Sequence, residues 1–183
     1  MDKATGFSKL FTERLALRKL KAEDADALFA LRTNSDVNQY LDRPETTGIS
    51  QVLDFIKKIQ TSVDSGQSFY WAITFPADDK LIGTICLYNL SEDHIEAEIG
   101  YELYPDFQGK GLMQEAMAKV IGFGFNNLGV KTITALPHEK NERSIMLLKK
   151  NHFEIDNALM DKNKNNEEFD NLLCYSLFKN VSK

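Results

Sequence analysis

Apolar residues recur every three or four positions between residues 49 and 63, which is the spacing of one side of an α-helix. Gly66 follows at the place where a left-handed cap ends a helix. An earlier helix is predicted from about Glu23, because acidic residues crowd its first turn and apolar residues follow at helical spacing. Ser35 is positioned to cap a short helical turn that reaches Tyr40. The pattern thus predicts two helices and a helical turn in the first third of the chain.

Several stretches of the first hundred residues have the composition of β-strands. Alternation of apolar and polar residues predicts a first strand within residues 14–20, after a loose lead-in over residues 1–12. Residues 69–75 and 81–90 are rich in β-branched and aromatic side chains and flank the turn sequence PADDK, so they predict a hairpin. A further strand is predicted over residues 95–103. We therefore expect these last three strands to be antiparallel neighbours.

The rest of the chain predicts a helix, a strand, a second helix and a terminal hairpin, over residues 110–128, 131–136, 142–151 and 153–178. Gly122 and Gly124 inside the first of these helices indicate close packing of that helix on the sheet. Asn141 is placed to cap the second helix. Within the hairpin, strands at residues 153–160 and 172–178 are joined by a long polar loop. A strand, a helix and a strand in succession imply a crossover between parallel strands.

Composition narrows the possible partners. Of the 183 residues, 43% are hydrophobic and 27% are charged, which is typical of a soluble protein, and the length predicts a single domain over residues 1–183. The net charge of -5 disfavours a nucleic-acid binder, which would present a basic surface. No stretch approaches the ~20 apolar residues of a membrane span, and the first residues lack the apolar core of a signal peptide. We expect a cytoplasmic protein with no nucleic-acid or membrane partner.

The stretch EAEIGYELYPDFQGKGLMQEAM, residues 96–117, combines a strand, a glycine-bearing turn and the start of a helix. Amide groups in the first turn of a helix lack partners within the helix, and the helix dipole adds partial positive charge there. Gly109 and Gly111 have no Cβ atom that would hold a phosphate away from these amides, and Lys110 adds a positive charge. The turn therefore predicts an anion site suited to a pyrophosphate.

Several other nucleotide-binding and hydrolytic motifs are absent from the sequence. Gly109-x-Gly111 is followed by Gln114 where a dinucleotide fingerprint has a third glycine, and antiparallel strands precede the turn. The chain has no G-x-x-x-x-G-K-[ST] loop and no G-x-S-x-G elbow. The three histidines have no metal-type spacing, and Cys86 and Cys174 lie in apolar stretches that predict buried free thiols. We expect no metal site.

Three stretches of the sequence carry a family resemblance. They are TERLALRKLKAEDADALFALR near the start, AEIGYELYPDFQGKG in the middle and N-x-x-S-x-x-x-L-x-K-x-x-F at residues 141–153. Together they resemble the GNAT superfamily of acetyl-CoA-dependent N-acetyltransferases, and within it the branch that includes the ribosomal-protein N-terminal acetyltransferases. The resemblance spans nearly the whole chain. It implies the α/β GNAT fold, a twisted mixed sheet of about seven strands flanked by about four helices.

By this resemblance, the glycine turn binds the pyrophosphate of acetyl-CoA, the expected co-substrate. The family pattern at the turn is [RQ]-x-x-G-x-[GA], and Met113 here occupies the position of the last small residue. Because backbone amides hold the pyrophosphate in this family, Met113 is compatible if its side chain turns to the core. The resemblance also implies that the strand before the turn pairs with the pantetheine arm and that Asn141, besides capping its helix, bonds to that arm. The implied cofactor-binding residues are Tyr101, Leu103, Gln108, Gly109, Lys110, Gly111, Leu112, Met113 and Asn141.

Acetyl transfer to an amine needs a neutral nucleophile, donors for the developing oxyanion and a proton for the departing thiolate. Glu98 is the candidate base, acting through water, because it resembles the acidic residue found at this strand position in the branch. The alternative is a solvated acidic face, since Glu96, Glu98 and Glu102 lie on the same side of the strand. A backbone N–H near Leu103 would hold the oxyanion. Many family members have a tyrosine on the following helix that protonates the thiolate, and Leu148 stands at that position here. Ser144 is then the remaining candidate to meet the thiolate. The alternative is that Ser144 is only a serine of the first helical turn.

The sequence therefore predicts an enzyme that moves acetyl from acetyl-CoA to a primary amine in a direct ternary complex. A protein N-terminal α-amine of the ribosomal-protein type is the leading acceptor. A small-molecule amine, such as a polyamine or an antibiotic, is the alternative acceptor. The alternative function outside the enzymes is a non-catalytic module that binds acyl-CoA. The sequence does not decide between a monomer and a homodimer.

Overall fold

A computed structural model describes residues 7–179, which form one mixed sheet of eight strands flanked by six α-helices. The strands are β1 (Leu10–Phe11), β2 (Ala16–Lys19), β3 (Phe69–Phe75), β4 (Asp78–Tyr88), β5 (Glu96–Leu103), β6 (Thr132–Ala135), β7 (Glu154–Ile155) and β8 (Tyr175–Phe178). The helices are α1 (Ala25–Thr33), α2 (Ser35–Asn38), α3 (Ile49–Asp64), α4 (Leu112–Phe123), α5 (Glu142–Lys150) and α6 (Asn157–Asn163). The predicted mixed α/β sheet is confirmed, with one strand and two helices more than expected. Among these helices, none combines the length and apolar character that a membrane span needs.

The sheet runs in the order β1-β2-β3-β4-β5-β6-β8-β7. Its first five strands pair as antiparallel neighbours, so the expected run of three antiparallel strands before the glycine turn is confirmed. β6 then pairs parallel to β5, as the predicted crossover through α4 requires. β8 pairs antiparallel to β6, and the short β7 lies at the far edge.

Helices cover both faces of the sheet. α4 packs on one face, where Phe123 contacts the ring of the fully buried Trp71 at 5.4 Å. A Cβ atom on Gly124 would lie 3.2 Å from side chains of β4 and β6, which confirms close packing there, whereas Gly122 has no such neighbour within 4 Å. On the opposite face, Phe55 of α3 meets Tyr70 edge to face at 6.0 Å. The two faces therefore differ: one carries α4, and the other carries α1 and α3.

Three predicted segments differ from the structure. β1 lies within the expected lead-in, whose first six residues are outside the described range. Asn34, not Ser35, caps α2, because its side chain accepts hydrogen bonds from the amides of Asp36 and Val37. The predicted strand over residues 153–160 is two residues of strand followed by α6. Asp156 accepts from the Leu159 amide at 2.9 Å and so starts a helix where the apolar pattern indicated a strand.

Candidate active site

β5 and β6 separate beyond residue 98, which opens a cleft along one edge of β5. β6 pairs with residues 96–98, whereas β4 pairs with the other edge of β5 as far as Leu103. The Tyr104 amide donates to the Ile82 carbonyl at 3.0 Å, and this bond fixes the alternation of the antiparallel ladder. By that alternation, the N–H and C=O groups of Tyr101 and Leu103 point away from β4 and toward the opening.

The glycine turn follows at the end of this edge. Gly109 and Gly111 have φ angles of 73° and 75°, left-handed values that favour glycine. α4 begins at Leu112 without a side-chain cap, and no described residue accepts a hydrogen bond from the amides of Gly109, Lys110 or Gly111. A Cβ atom on Gly109 would meet nothing within 4 Å. These exposed amides at a helix start fit the pyrophosphate of coenzyme A.

Leu112 and Met113 turn their side chains into the core, with 4% and 8% of their surfaces exposed. Met113 therefore meets the condition under which it is compatible with the cofactor, a side chain turned to the core. Any contact of these two residues with a phosphate would go through backbone amides. Lys110 remains on the surface, with its ammonium 5.9 Å from the centre of the Phe107 ring.

Gln108 braces the turn through its side chain and its backbone amide. Its Nε2 donates to the Leu103 carbonyl at 2.8 Å, and its Oε1 accepts from Arg143 Nη1 of α5 at 2.9 Å. Its backbone amide donates to the Pro105 carbonyl. Gln108 therefore ties β5, the turn and α5 together. The Leu103 amide faces the cleft because of the strand alternation.

Arg14 holds the turn from the N-terminal side. Its Nη1 donates to the Lys110 carbonyl at 3.0 Å, and its Nε pairs with Glu115 of α4 at 2.7 Å. Glu115 also accepts from the Arg14 amide and from the Thr12 hydroxyl. Partial burial acts to raise the pKa of Glu115, but these hydrogen bonds and the Arg14 charge outweigh it and hold the pKa below its usual value.

Glu98 lies where the pairing of β5 with β6 ends, on the face opposite α4. Both of its carboxylate oxygens are engaged: the Tyr88 hydroxyl donates to Oε1, and Asn89 Nδ2 donates to Oε2 at 3.1 Å. Burial, and then the nearby Glu98 charge, raise the pKa of Tyr88, so this phenol remains a donor. Tyr88 and Asn89 fix the orientation of the predicted base.

Glu102 differs from the solvated acidic face that was the alternative for this strand. Its Oε1 lies 2.6 Å from Arg43 Nη1, and its side chain is 16% exposed. Its Oε2 is buried without a hydrogen-bond partner in the described part of the chain. The solvated-face alternative is therefore wrong at Glu102.

The first turn of α5 faces the cleft from the other side. Asn141 caps α5 as predicted, because its Oδ1 accepts from the Ser144 amide at 3.1 Å. The Ser144 hydroxyl lies 2.7 Å from the Tyr101 hydroxyl, which joins α5 to the open part of β5. Leu148, at the position of the family tyrosine, is fully buried.

A cavity of about 410 Å³ lies between the segment after α2, residues 39–42, and residues 167–172. His138, beyond the end of β6, also lines it and contacts the ring of Tyr40 at 5.5 Å. Four carboxylates line the cavity, and no lysine or arginine does: they are Asp42, Glu167, Glu168 and Asp170.

The structure thus brings most predicted residues to one cleft, and it adds two that the sequence did not single out. Arg14 and Arg143 reach the site from segments distant in sequence, and no local pattern marks them. Among residues 7–179, no group of three or more histidine, cysteine, aspartate or glutamate side chains is arranged to hold a metal ion. Cys86 and Cys174 are free thiols, and burial raises the pKa of Cys86 to about 12.

Comparisons with known proteins agree with this geometry. The family model of the acetyltransferase (GNAT) domain matches residues 14–154. The chain is 34% identical over 170 residues to p20, an uncharacterized N-acetyltransferase of Bacillus licheniformis, with 93% of this chain and 96% of that protein covered. It is 24% identical to the spermidine N(1)-acetyltransferase of Escherichia coli strain K12, with 88% and 84% covered.

A solved structure of RimL, a ribosomal L7/L12 alpha-N-protein acetyltransferase in complex with coenzyme A, has a similar fold. The TM-score is 0.79 at 18% sequence identity, and the match covers 93% of this chain and 97% of that one. At this identity the likeness concerns the fold, and it confirms the predicted α/β GNAT fold, a mixed sheet flanked by helices.

Proposed function

Because the chain belongs to the GNAT acetyltransferase family, and is thus an acetyl-CoA-dependent N-acetyltransferase, we propose that it acetylates the α-amine of protein N-termini. The observation that carries the proposal is the separation of β5 from β6 beyond residue 98. It leaves an open strand edge that begins after Glu98 and leads to a turn with free amides. The RimL protein, which shares the fold, supports the choice of an N-terminal amine as acceptor.

Each proposed role rests on the position of a group in this chain. The amides of the turn at Gly109–Lys110–Gly111 would hold the pyrophosphate, and acetyl-CoA supplies the activated acetyl group. The Leu103 amide, which faces the cleft, would stabilise the developing oxyanion. Glu98, whose carboxylate keeps unused lone pairs beside its two hydrogen bonds, would take a proton from the incoming ammonium through water. Ser144 would donate a hydrogen bond to the leaving thiolate.

A small polyamine is the second candidate acceptor, and the acidic cavity favours it. Four carboxylates without a lysine or arginine would attract a molecule with several positive charges. The similarity to a spermidine N(1)-acetyltransferase points the same way. Both candidates present a cationic amine as the acceptor, and they differ in the rest of the molecule that carries the reacting nitrogen.

A panel of acceptors tests the proposal. Purified protein with acetyl-CoA would be incubated with peptides that have free N-termini, with the same peptides blocked at the N-terminus, and with spermidine. Thiol release would be followed together with the mass of the product. We expect acetylation of the free α-amine and none of blocked peptides. A clear preference for spermidine would replace the proposal by the second candidate, and tight acetyl-CoA binding without thiol release would indicate a binding module.

A further inference from the structure

Tyr101 lies on the open part of β5, and its hydroxyl oxygen is 2.7 Å from Ser144 Oγ. By strand alternation its side chain is on the α4 face of the sheet, whereas Glu98 is on the opposite face. Ser144 is held by the α5 cap, since its amide donates to Asn141 Oδ1. The hydrogen bond therefore joins the two sides of the cleft at the hydroxyl that is proposed to meet the thiolate.

The direction of this hydrogen bond follows from the acidity of the two hydroxyls. A phenol is more acidic than an aliphatic hydroxyl, so Tyr101 is the better donor and Ser144 Oγ the better acceptor. Burial raises the pKa of Tyr101 to about 12, so the phenol keeps its proton at neutral pH. With one lone pair of Ser144 Oγ occupied by Tyr101, the Ser144 proton is left to point elsewhere.

We propose that Tyr101 is a positioning residue for acetyl transfer: its hydroxyl donates to Ser144 Oγ and thereby directs the Ser144 proton toward the leaving sulfur. The inference rests on the proposed function, in which Ser144 meets the thiolate. As the nitrogen–carbon bond forms and the carbon–sulfur bond breaks, the sulfur keeps the electron pair of the broken bond. Glu98 takes the first proton, from the ammonium, through water; the second proton leaves the nitrogen to solvent water as the amide forms, and the thiolate accepts the hydrogen bond from Ser144. Two hydroxyls in a chain polarise each other, which strengthens that bond.

The test combines two measurements: the pKa of the CoA thiol when CoA is bound, from thiolate absorbance during a pH titration, and kcat for acetyl transfer. Tyr101→Phe removes one oxygen. We expect kcat to fall about three- to tenfold and the bound thiol pKa to rise by about half a unit to one unit, at unchanged CoA affinity. Tyr104→Phe is the matched control, because its hydroxyl donates to the Ala27 carbonyl at 2.7 Å on the α1 side of the sheet. It should leave both quantities at parental values.

A double-mutant cycle identifies the residue through which Tyr101 acts. Ser144→Ala should raise the bound thiol pKa at least as much as Tyr101→Phe, and combining the two substitutions should change neither quantity further. Additive effects, or an unchanged bound thiol pKa in Tyr101→Phe, would overturn the proposal. The titration of bound CoA needs no acceptor. The bound thiol pKa could therefore change in Tyr101→Phe even if the parent protein acetylates no amine. That result would support the action of Tyr101 through Ser144 and contradict the proposed function.

Discussion

Arg43 and Glu102 form an ion pair of 2.6 Å that joins the segment between α2 and α3 to the middle of the sheet. Their side chains are only 15% and 16% exposed, so the Glu102 charge is largely withdrawn from water. Arg43 is itself oriented by Asn38, whose Oδ1 accepts from Arg43 Nε at 3.0 Å. The carboxylate therefore depends on a guanidinium from a loop that also contributes to the wall of the acidic cavity.

Removal of the Arg43 charge should destabilise the fold strongly. Arg43→Met leaves the Glu102 carboxylate buried without a countercharge, and we expect the free energy of unfolding to fall by about 3 kcal/mol. Urea denaturation measures this. Adding Glu102→Gln should recover most of the lost free energy of unfolding, because the double variant no longer buries an unpaired carboxylate. Lys19→Met, which breaks the exposed pair with Asp64, is the control and should cost less than about 1 kcal/mol. Equal losses in Arg43→Met and Lys19→Met would contradict the prediction.

Substitution of Gly111 should separate cofactor binding from folding. Gly111→Val places a branched side chain over the amides that are proposed to hold the pyrophosphate, so acetyl-CoA affinity should fall at least about a hundredfold. Isothermal titration calorimetry measures the affinity. Gly129→Val is the matched control: Gly129 has a φ angle of 79°, and a Cβ atom there would meet nothing within 4 Å, so the backbone strain is similar. The control should lose stability but keep its affinity, and an unchanged affinity in Gly111→Val would contradict the phosphate site.

Replacement of Glu98 should alter the pH dependence of turnover. Glu98→Gln keeps the shape of the side chain but removes the proposed base, so kcat should fall about a hundredfold, most at low pH where the amine is mainly protonated. Steady-state rates measured from about pH 6 to about pH 9 would give the dependence of kcat on pH. Glu96→Gln is the control, because Glu96 is an exposed residue on the same side of β5. Parallel profiles for Glu98→Gln and the parent would remove Glu98 as base.

The elements that the sequence predicted best are those with local signals. α3 begins at Ile49 as its apolar spacing indicates, and Gly66 has the left-handed φ angle of 72° expected of the cap. Asn141 caps α5 through its own side chain. In each case the signal and the structure it determines lie within a few residues, where propensity and capping dominate.

The parts that the sequence left undetermined depend on contacts between distant residues. The pair of Tyr101 and Ser144 spans 43 positions, and Arg14 meets the Lys110 carbonyl across 96 positions. The end of α5 is a further feature that packing determines. Either Asn151 or His152 could adopt the left-handed conformation there, and His152 does so, with a φ angle of 64°. Asn151 is buried and its side chain exchanges hydrogen bonds with Gln114, which holds it in place.

The network around Glu115 should make part of the stability depend on acid pH. A carboxylate whose pKa is lowered by folding stabilises the native state above the unfolded pKa of about 4.3, and this contribution is lost as the pH falls through the folded pKa. Glu115→Gln removes the carboxylate, so the variant should be less stable than the parent at pH 7. The difference should shrink steadily below about pH 4, as urea denaturation at several pH values would measure. Glu139→Gln, at an exposed position, should show no such pH-dependent difference. A difference for Glu115→Gln that stays constant down to the acid transition would show that the network contributes through packing and not through the charge of Glu115.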